Sequence, residues 1–222
     1  MIPAAIIFDF DGVIIDSESV ANAALAEALT AAGYATSIDD SLSHYMGHRW
    51  DDTRLRIEAR WNCVLPESFR EDYRAVFQAR VGEGLPEVGG VAEFLDRLPD
   101  RPRAIASSSS TQWLASNLDR LGLRHHFGDR LFSGAEHVER GKPHPDVYLH
   151  AAAEIGVEAK GCWVVEDTAT GATAALAAGM RVIGLCAGSH CRADHGDRLQ
   201  AAGVHHIAHD YAKVARLIGL AD

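Results

Sequence analysis

The sequence predicts an α/β fold in which a doubly wound, mostly parallel sheet carries an inserted all-helical segment. From residue 85 to the carboxyl terminus, short apolar runs alternate with helical patterns, and strands separated by helices form parallel sheets with helices on both faces. Residues 37–82, in contrast, show only helical patterns. The predicted architecture is therefore a Rossmann-like core, residues 1–14 and 84–222, with a helical cap, residues 15–83.

The first predicted strand, Ala4–Phe8, is a continuous apolar run, which is typical of a strand buried on both faces. An alanine-rich helix follows it to about Ala32 and ends at Gly33. The further cap helices are predicted over Asp39–Tyr45, Asp51–Trp61 and Pro66–Val81. The core helices are predicted over Val88–Leu98, Thr111–Leu121, Pro145–Ile155, Thr168–Ala178, Ala193–Ala201 and Tyr211–Ile218. The remaining strands are predicted over Arg103–Ala106, Leu131–Ser133, Cys162–Val165, Arg181–Leu185 and His205–Ile207.

Composition excludes several classes of function. The formal charge is −10 and there is no basic tract, whereas a nucleic-acid binder needs lysines and arginines to neutralise phosphates. No apolar stretch reaches the ~20 residues that cross a bilayer, and no cationic segment precedes the first apolar run. The four cysteines lack the spacing of a disulfide framework. We expect a cytoplasmic protein with reduced thiols, a monomer or weak dimer that contacts neither membrane nor nucleic acid.

The first strand ends in two carboxylates, Asp9 and Asp11, separated by one phenylalanine. Residues i and i+2 of an extended chain face the same side, so both carboxylates can line one site. Gly12 then allows the backbone to turn. Ligands of open α/β sheets bind beyond the carboxyl ends of the strands, which is where this pair lies.

Three later segments add polar residues at comparable positions. The serine run 107–110 follows a strand, and hydroxyl and backbone N–H groups at such a turn suit a phosphate. Lys142 lies in a turn with two prolines, where a rigidly held ammonium group can neutralise a phosphoryl group. Taken alone, a serine run is usually a helix cap, and the lysine turn can be a plain proline-led helix start with a solvated lysine.

Glu166 and Asp167 follow another buried strand. At a common strand edge they repel the first carboxylate pair, by about 4 kcal/mol for each like-charge pair at ~4 Å and an effective dielectric constant of ~20. Such a cluster is tolerated only if it is protonated or if it binds a cation. Carboxylates with carbonyl oxygens suit Mg²⁺, so Mg²⁺ is the cation that the sequence predicts.

Four segments in this order, DFDGV, ASSSS, GKPHPD and VVEDTATG, resemble the four motifs of the haloacid dehalogenase-like hydrolase superfamily. Residues 16–18 and the helical insertion resemble its phosphatase and β-phosphoglucomutase branch. The resemblance covers the whole chain and implies a Mg²⁺-dependent enzyme that acts on a small phosphorylated metabolite.

The resemblance also implies roles for individual residues. Asp9 would be the nucleophile that becomes an aspartyl phosphate, and Asp11 the general acid and base. The implied phosphoryl-binding residues are Ser107, Ser109 and Lys142. The implied Mg²⁺ ligands are the Asp9 carboxylate, the Asp11 backbone carbonyl and Asp167, with Glu166 ligating or close by.

We expect hydrolysis, with sugar phosphates or phosphosugar acids as substrates. A hexose-phosphate mutase is the alternative, but the cap histidine of β-phosphoglucomutases aligns with Ala21 here. Their cap arginine aligns with Trp50 or is displaced to Arg49. A sugar-phosphate-binding regulator is the non-enzymatic alternative, although a binder does not need Asp11.

Two loops remain. Gly47, His48 and Arg49 are the predicted substrate-specificity residues of the cap, since an arginine there can pair with a second anionic group; a solvated helix end is the alternative. The residues Cys186, His190, Cys191 and His195 have a spacing compatible with zinc. They lack a second paired-ligand unit, so the spacing alone does not favour a metal site.

Overall fold

A computed structural model of the chain describes residues 2–46, 50–82 and 84–220. The chain divides into two compact units. The larger unit comprises Met1–Ile15 and Glu87–Asp222, and the smaller unit comprises Asp16–Pro86. That the smaller unit acts as a cap over a catalytic site stays a prediction.

The larger unit contains one sheet of six described strands. They are β1 (Ala5–Phe8), β2 (Arg103–Ser107), β3 (Leu131–Ser133), β4 (Cys162–Glu166), β5 (Arg181–Leu185) and β6 (His206–Ala208). Their order is β3-β2-β1-β4-β5-β6, and every described pair is parallel. This is a doubly wound order, in which the direction of winding reverses between β1 and β4. The predicted fold class is confirmed.

The helices surround this sheet or form the smaller unit. The smaller unit contains α1 (Ser17–Ala31), α2 (Ile38–His44), α3 (Trp50–Trp61) and α4 (Phe69–Gly82). The larger unit contains α5 (Val91–Arg97), α6 (Thr111–Leu121), α7 (Arg124–Phe127), α8 (Asp146–Glu154), α9 (Ala169–Ala177), α10 (His195–Ala201) and α11 (Tyr211–Leu217). Among the described residues, no helix has both the length and the apolar character needed to span a membrane.

Several helical segments differ from the prediction. Helix α4 begins at Phe69 and not at Pro66. Helix α5 begins at Val91 and not at Val88, because Gly90 precedes it with a φ of 84°, outside the helical region. The short helix α7 was not predicted, since four residues are too few to show a helical period.

Successive apolar side chains of β1 point to opposite faces of the sheet, and both faces are covered by helices. Ile7 is fully buried in an apolar cluster that includes Tyr148 of α8. On the opposite face, the Phe8 ring packs edge-on against Phe127, 5.8 Å between ring centroids, and against Phe94, 6.2 Å away. Each such fully buried side chain stabilises the fold by roughly 1.5–3 kcal/mol. The central strand is thereby held rigidly, and so is the residue that follows it.

The smaller unit has its own core. Leu29, Ile57 and Phe69, from three different helices, are buried in one cluster. Trp50 stacks on Tyr73 with ring centroids 5.7 Å apart and planes 5° from parallel. Trp50, one of the positions aligned with the mutase arginine, is therefore part of the packing of this unit.

Candidate active site

The carboxyl ends of β1 and β4 lie side by side where the winding of the sheet reverses. Phe8 is in register with Val165, and the Asp9 N–H donates to the Val165 carbonyl over 2.9 Å. This pairing places Asp9 beside Glu166. Both are buried, with Asp9 7% exposed and Glu166 fully enclosed.

Asp9, Glu166 and Asp167 form a buried group that we call the carboxylate cluster. Each contributes a carboxylate oxygen, and these oxygens lie within 4.8 Å of one another. Burial raises the pKa of Asp9 well above its ordinary value; the neighbouring ammonium group of Lys142 opposes this, and the charges of Glu166 and Asp167 add to it. Negative charge is thus concentrated at one point of the sheet edge, as the sequence indicated.

Lys142 is the cation within this cluster. Its Nζ lies 2.5 Å from Asp9 Oδ1 and 2.8 Å from Glu166 Oε1, and 4.8 Å from the centre of the Tyr148 ring. Burial lowers the pKa of Lys142, but the charges of Asp9 and Glu166 raise it more, so its pKa lies well above the ordinary value. One ammonium group therefore contacts two of the three carboxylates of the cluster, so acidic groups outnumber basic ones there.

Four hydrogen bonds hold the Glu166 carboxylate. Its Oε1 accepts from Lys142 Nζ and, over 3.2 Å, from the Tyr148 hydroxyl. Its Oε2 accepts from the Thr168 N–H over 2.7 Å and from the Thr168 hydroxyl over 2.9 Å. A Cβ atom on Gly171 would collide with this carboxylate, so a larger residue at that position would displace the Glu166 side chain.

Glycine also makes room for Asp167. Gly12 has a φ of 80°, and a Cβ atom on it would collide with Asp167 Oδ2. Asp167 is 1% exposed, and its backbone carbonyl lies 2.6 Å from His195 Nε2. The motif glycine after the first strand thus has a second role besides the turn: it lets a carboxylate approach the backbone closely.

Asp11 lies on the other side of Asp9 along the chain and has different partners. The Ser109 hydroxyl donates to Asp11 Oδ2 over 2.7 Å, and the Trp113 indole N–H donates to Asp11 Oδ1 over 3.4 Å. Ser107 Oγ accepts from the Ser109 N–H over 3.1 Å. The serine run that follows β2 therefore contacts Asp11, which follows β1, because β1 and β2 are neighbours in the sheet.

The sequence did not find every residue of this site. Trp113, which is only half-buried, contacts Asp11. The Tyr148 hydroxyl reaches Glu166. Trp163, in contrast, is 3% exposed and packs in the core. Trp113 is 102 residues from Asp11 in sequence, and Tyr148 is 18 residues from Glu166. Only the fold therefore brings these two side chains to the site.

The donor set of the carboxylate cluster fits a hard divalent cation. All its ligand atoms are oxygens and all three side chains are buried, which suits Mg²⁺ better than softer metals. The predicted specificity residues Gly47, His48 and Arg49 lie outside the described residues, so their role stays a prediction.

Comparison with known proteins gives a consistent result. The family model described as haloacid dehalogenase-like hydrolase matches residues 6–185. The chain is 34% identical to a fructose-1-phosphate phosphatase of Escherichia coli, over 81% of this chain and 95% of that protein. It is 26% identical to a 6-phosphogluconate phosphatase of the same organism, over 84% of each. The structure resembles a crystal structure of a HAD family hydrolase from Deinococcus radiodurans with bound phosphate and sodium: the TM-score is 0.88 and the identity 30%, over 98% and 96% of the two chains.

Proposed function

The chain belongs to the haloacid dehalogenase-like hydrolase family, and we propose that it is a Mg²⁺-dependent phosphatase that works through an aspartyl phosphate on Asp9. The family and the enzyme class, a phosphoric monoester hydrolase, are confirmed as the sequence predicts. One observation carries the mechanistic proposal. The Asp9 carboxylate is buried at a sheet edge, in contact with the fixed ammonium group of Lys142 and beside two further carboxylates.

The proposed Mg²⁺ ligands are the carboxylates of Asp9 and Asp167 and the backbone carbonyl of Asp11. Glu166 is less suited to direct ligation, because four hydrogen bonds already occupy its two oxygens. We assign Glu166 the role of holding Lys142 in place. When bound, the metal would offset the repulsion between the carboxylates and an incoming phosphate dianion.

In the first step, an Asp9 carboxylate oxygen attacks phosphorus in line with the leaving oxygen. The bond from phosphorus to the leaving oxygen breaks, and the Asp11 carboxyl group gives that oxygen a proton. Lys142 and Ser107 hold the equatorial phosphoryl oxygens. A carboxylate needs no general base to become a nucleophile, so the site has only to bring it close to an anion.

In the second step, the Asp11 carboxylate takes a proton from water as the water oxygen attacks phosphorus. The bond between phosphorus and Asp9 breaks, which releases inorganic phosphate, restores the Asp9 carboxylate and leaves Asp11 protonated, as it was before the first step. The hydrogen bonds from Ser109 and Trp113 fix the orientation of Asp11 for both proton transfers.

We further propose sugar phosphates or phosphosugar acids as the substrate class. Three curated relatives, the 6-phosphogluconate, fructose-1-phosphate and hexitol phosphatases, carry such names. A cytoplasmic location and a monomer or weak dimer stay predictions from the sequence.

The test measures phosphate release from a panel of phosphorylated metabolites, with Mg²⁺ and with EDTA. The parent is compared with Asp9→Asn and with Asp119→Asn, which changes an exposed aspartate of α6. We expect Mg²⁺-dependent release from a few sugar phosphates, lost in Asp9→Asn and retained in Asp119→Asn. In Asp11→Asn treated with an aryl phosphate, whose leaving oxygen needs no proton, mass spectrometry should find one phosphoryl group on Asp9, because the second step lacks its base.

Other outcomes would overturn parts of the proposal. Full turnover by Asp9→Asn would exclude the covalent mechanism. Isomer conversion that needs a bisphosphate primer, without phosphate release, would establish the mutase instead. Tight binding of a sugar phosphate without either reaction would identify the regulator.

A further inference from the structure

The loop between β5 and α10 gathers side chains that the proposed hydrolysis does not use. His190, Cys191 and His195 each offer one ligand atom, and these atoms lie within 4.8 Å of one another. The two histidines are buried and Cys191 is half-buried. We call these three residues the histidine–cysteine cluster; Cys186, which the sequence grouped with them, lies outside it.

The distances around His190 resemble those around a tetrahedral zinc ion. His190 Nε2 lies 3.6 Å from Cys191 Sγ and 3.0 Å from Asp167 Oδ2. Ordinary zinc bond lengths place nitrogen and sulfur donors about 3.6 Å apart, and nitrogen and oxygen donors about 3.4 Å apart. The first pair therefore already has the required separation, and the second pair has to open by only about 0.4 Å.

His195 is oriented in the way that metal-bound histidines usually are. Its Nε2 lies 2.6 Å from the backbone carbonyl oxygen of Asp167, so the neutral ring donates its Nε2–H there and keeps a lone pair on Nδ1. A second-shell hydrogen bond of this type fixes the tautomer and raises the basicity of a ligating imidazole.

The backbone leaves space for the His190 ring. A Cβ atom on Gly188 would lie 2.5 Å from both Cε1 and Nδ1 of that ring, and one on Gly12 would lie 3.0 Å from Cε1. Two glycines, one from the first motif and one from this loop, thus flank a buried imidazole. Cys191 is half-buried and is the most exposed residue of the cluster.

We propose that His190, Cys191 and His195 bind a thiophilic transition metal ion such as Zn²⁺, and that Asp167 Oδ2, which contacts His190 but lies outside the three-residue group, shifts to become the fourth donor. Two imidazole nitrogens, a thiolate and a carboxylate suit Zn²⁺ and not Mg²⁺. Binding releases the Cys191 thiol proton to solvent. Because Asp167 also belongs to the carboxylate cluster, an ion at this site changes the Mg²⁺ affinity there, and the effect is reciprocal.

The test uses Co²⁺ as a spectroscopic probe on the full chain in the presence of excess Mg²⁺, which occupies the oxygen site. A cobalt ion in the histidine–cysteine cluster gives a thiolate-to-metal charge-transfer band and the intense visible bands of tetrahedral geometry. We expect Cys191→Ser to lose the charge-transfer band. We also expect its Zn²⁺ affinity, measured by competition with a chromophoric chelator, to fall at least about tenfold, since even second-shell losses reach that size. The matched variant Cys186→Ser, from the same loop, should keep both properties.

A parent protein without the charge-transfer band, or a Cys191→Ser variant that keeps it, overturns the proposal. If Cys191→Ser fails to fold, as judged by its circular dichroism spectrum, His195→Gln decides: unchanged Zn²⁺ affinity and unchanged visible bands overturn the site, and loss of both supports it. None of these measurements depends on phosphatase activity. Their failure would leave the hydrolytic proposal intact, and failure of hydrolysis would leave this site intact.

Discussion

Two groups of potential metal ligands meet at Asp167, and they differ in chemistry. The carboxylate cluster offers only oxygens and encloses an ammonium group, Lys142. The histidine–cysteine cluster offers nitrogen and sulfur donors. A hard ion that keeps waters and accepts a phosphate ligand suits the first, and a softer ion suits the second. Asp167, which follows β4, therefore belongs to two proposed sites that prefer different metals. The donor atoms of each site, and not its position along the sheet, determine which metal it binds.

The largest expected effect separates the two clusters by function. Asp9→Asn should lower kcat by about 10⁴-fold, because the amide is not a nucleophile and single losses in catalytic sets reach this size. Zn²⁺ affinity should not change, since Asp9 belongs only to the carboxylate cluster. Steady-state kinetics and chelator competition check this. A loss of zinc binding in the same variant would show that the clusters are not separate.

Lys142→Met should lower the free energy of unfolding by about 3–5 kcal/mol, because it leaves Asp9 and Glu166 buried without their cation. Excess Mg²⁺ should restore part of this loss and Zn²⁺ should not. Urea unfolding with EDTA, with Mg²⁺ and with Zn²⁺ measures both effects. The control is Lys160→Met at an exposed ion pair, where such pairs contribute little. Equal stability of Lys142→Met and the parent in EDTA would contradict the electrostatic description.

Asp167→Asn tests the shared ligand. It should weaken Mg²⁺ and Zn²⁺ binding alike, each by about 100-fold, since one carboxylate is proposed to serve both ions. Titration calorimetry for Mg²⁺ and chelator competition for Zn²⁺ give the two affinities. If only one affinity falls, Asp167 belongs to one cluster and the proposed coupling does not exist.

Gly171→Ala should disturb the carboxylate cluster alone. The added methyl group displaces the Glu166 carboxylate and with it Lys142, at a cost of about 2 kcal/mol from overpacking. Thermal unfolding and kcat/KM should both decline, whereas the Co²⁺ spectrum should stay unchanged. Gly89→Ala is the matched control, because a Cβ atom there meets no atom within 4 Å. Similar losses in both variants would point to a general glycine effect.

The smallest expected effect concerns Asp11. Ser109→Ala removes a 2.7 Å hydrogen bond and should lower kcat about three- to tenfold, the equivalent of one hydrogen bond. KM should change little if Ser109 orients Asp11 and does not hold substrate. Ser108→Ala, at an exposed neighbour, is the control. A rise in KM with unchanged kcat would instead assign Ser109 to phosphate binding.

The sequence by itself determined the fold class, the order of the elements and the position of Asp9, Asp11, Lys142 and Asp167 at strand ends or turns. These features depend on periodicity and on residue types within a few positions, which a single chain displays directly. The predicted family is confirmed for the same reason, since its four motifs are local.

The tertiary structure alone decided which side chains meet. The hydroxyl of Tyr148 reaches Glu166 only because α8 packs on the sheet beside β4. The parallel strands β4 and β5 are neighbours, so Asp167 lies close to the loop that follows β5. The His190 ring fits beside Gly188 in that loop and contacts Asp167. Such contacts join residues far apart in sequence, so no local pattern records them. The spacing of the loop could therefore not distinguish a metal site from an ordinary turn, and the fourth donor became visible only when the sheet was assembled.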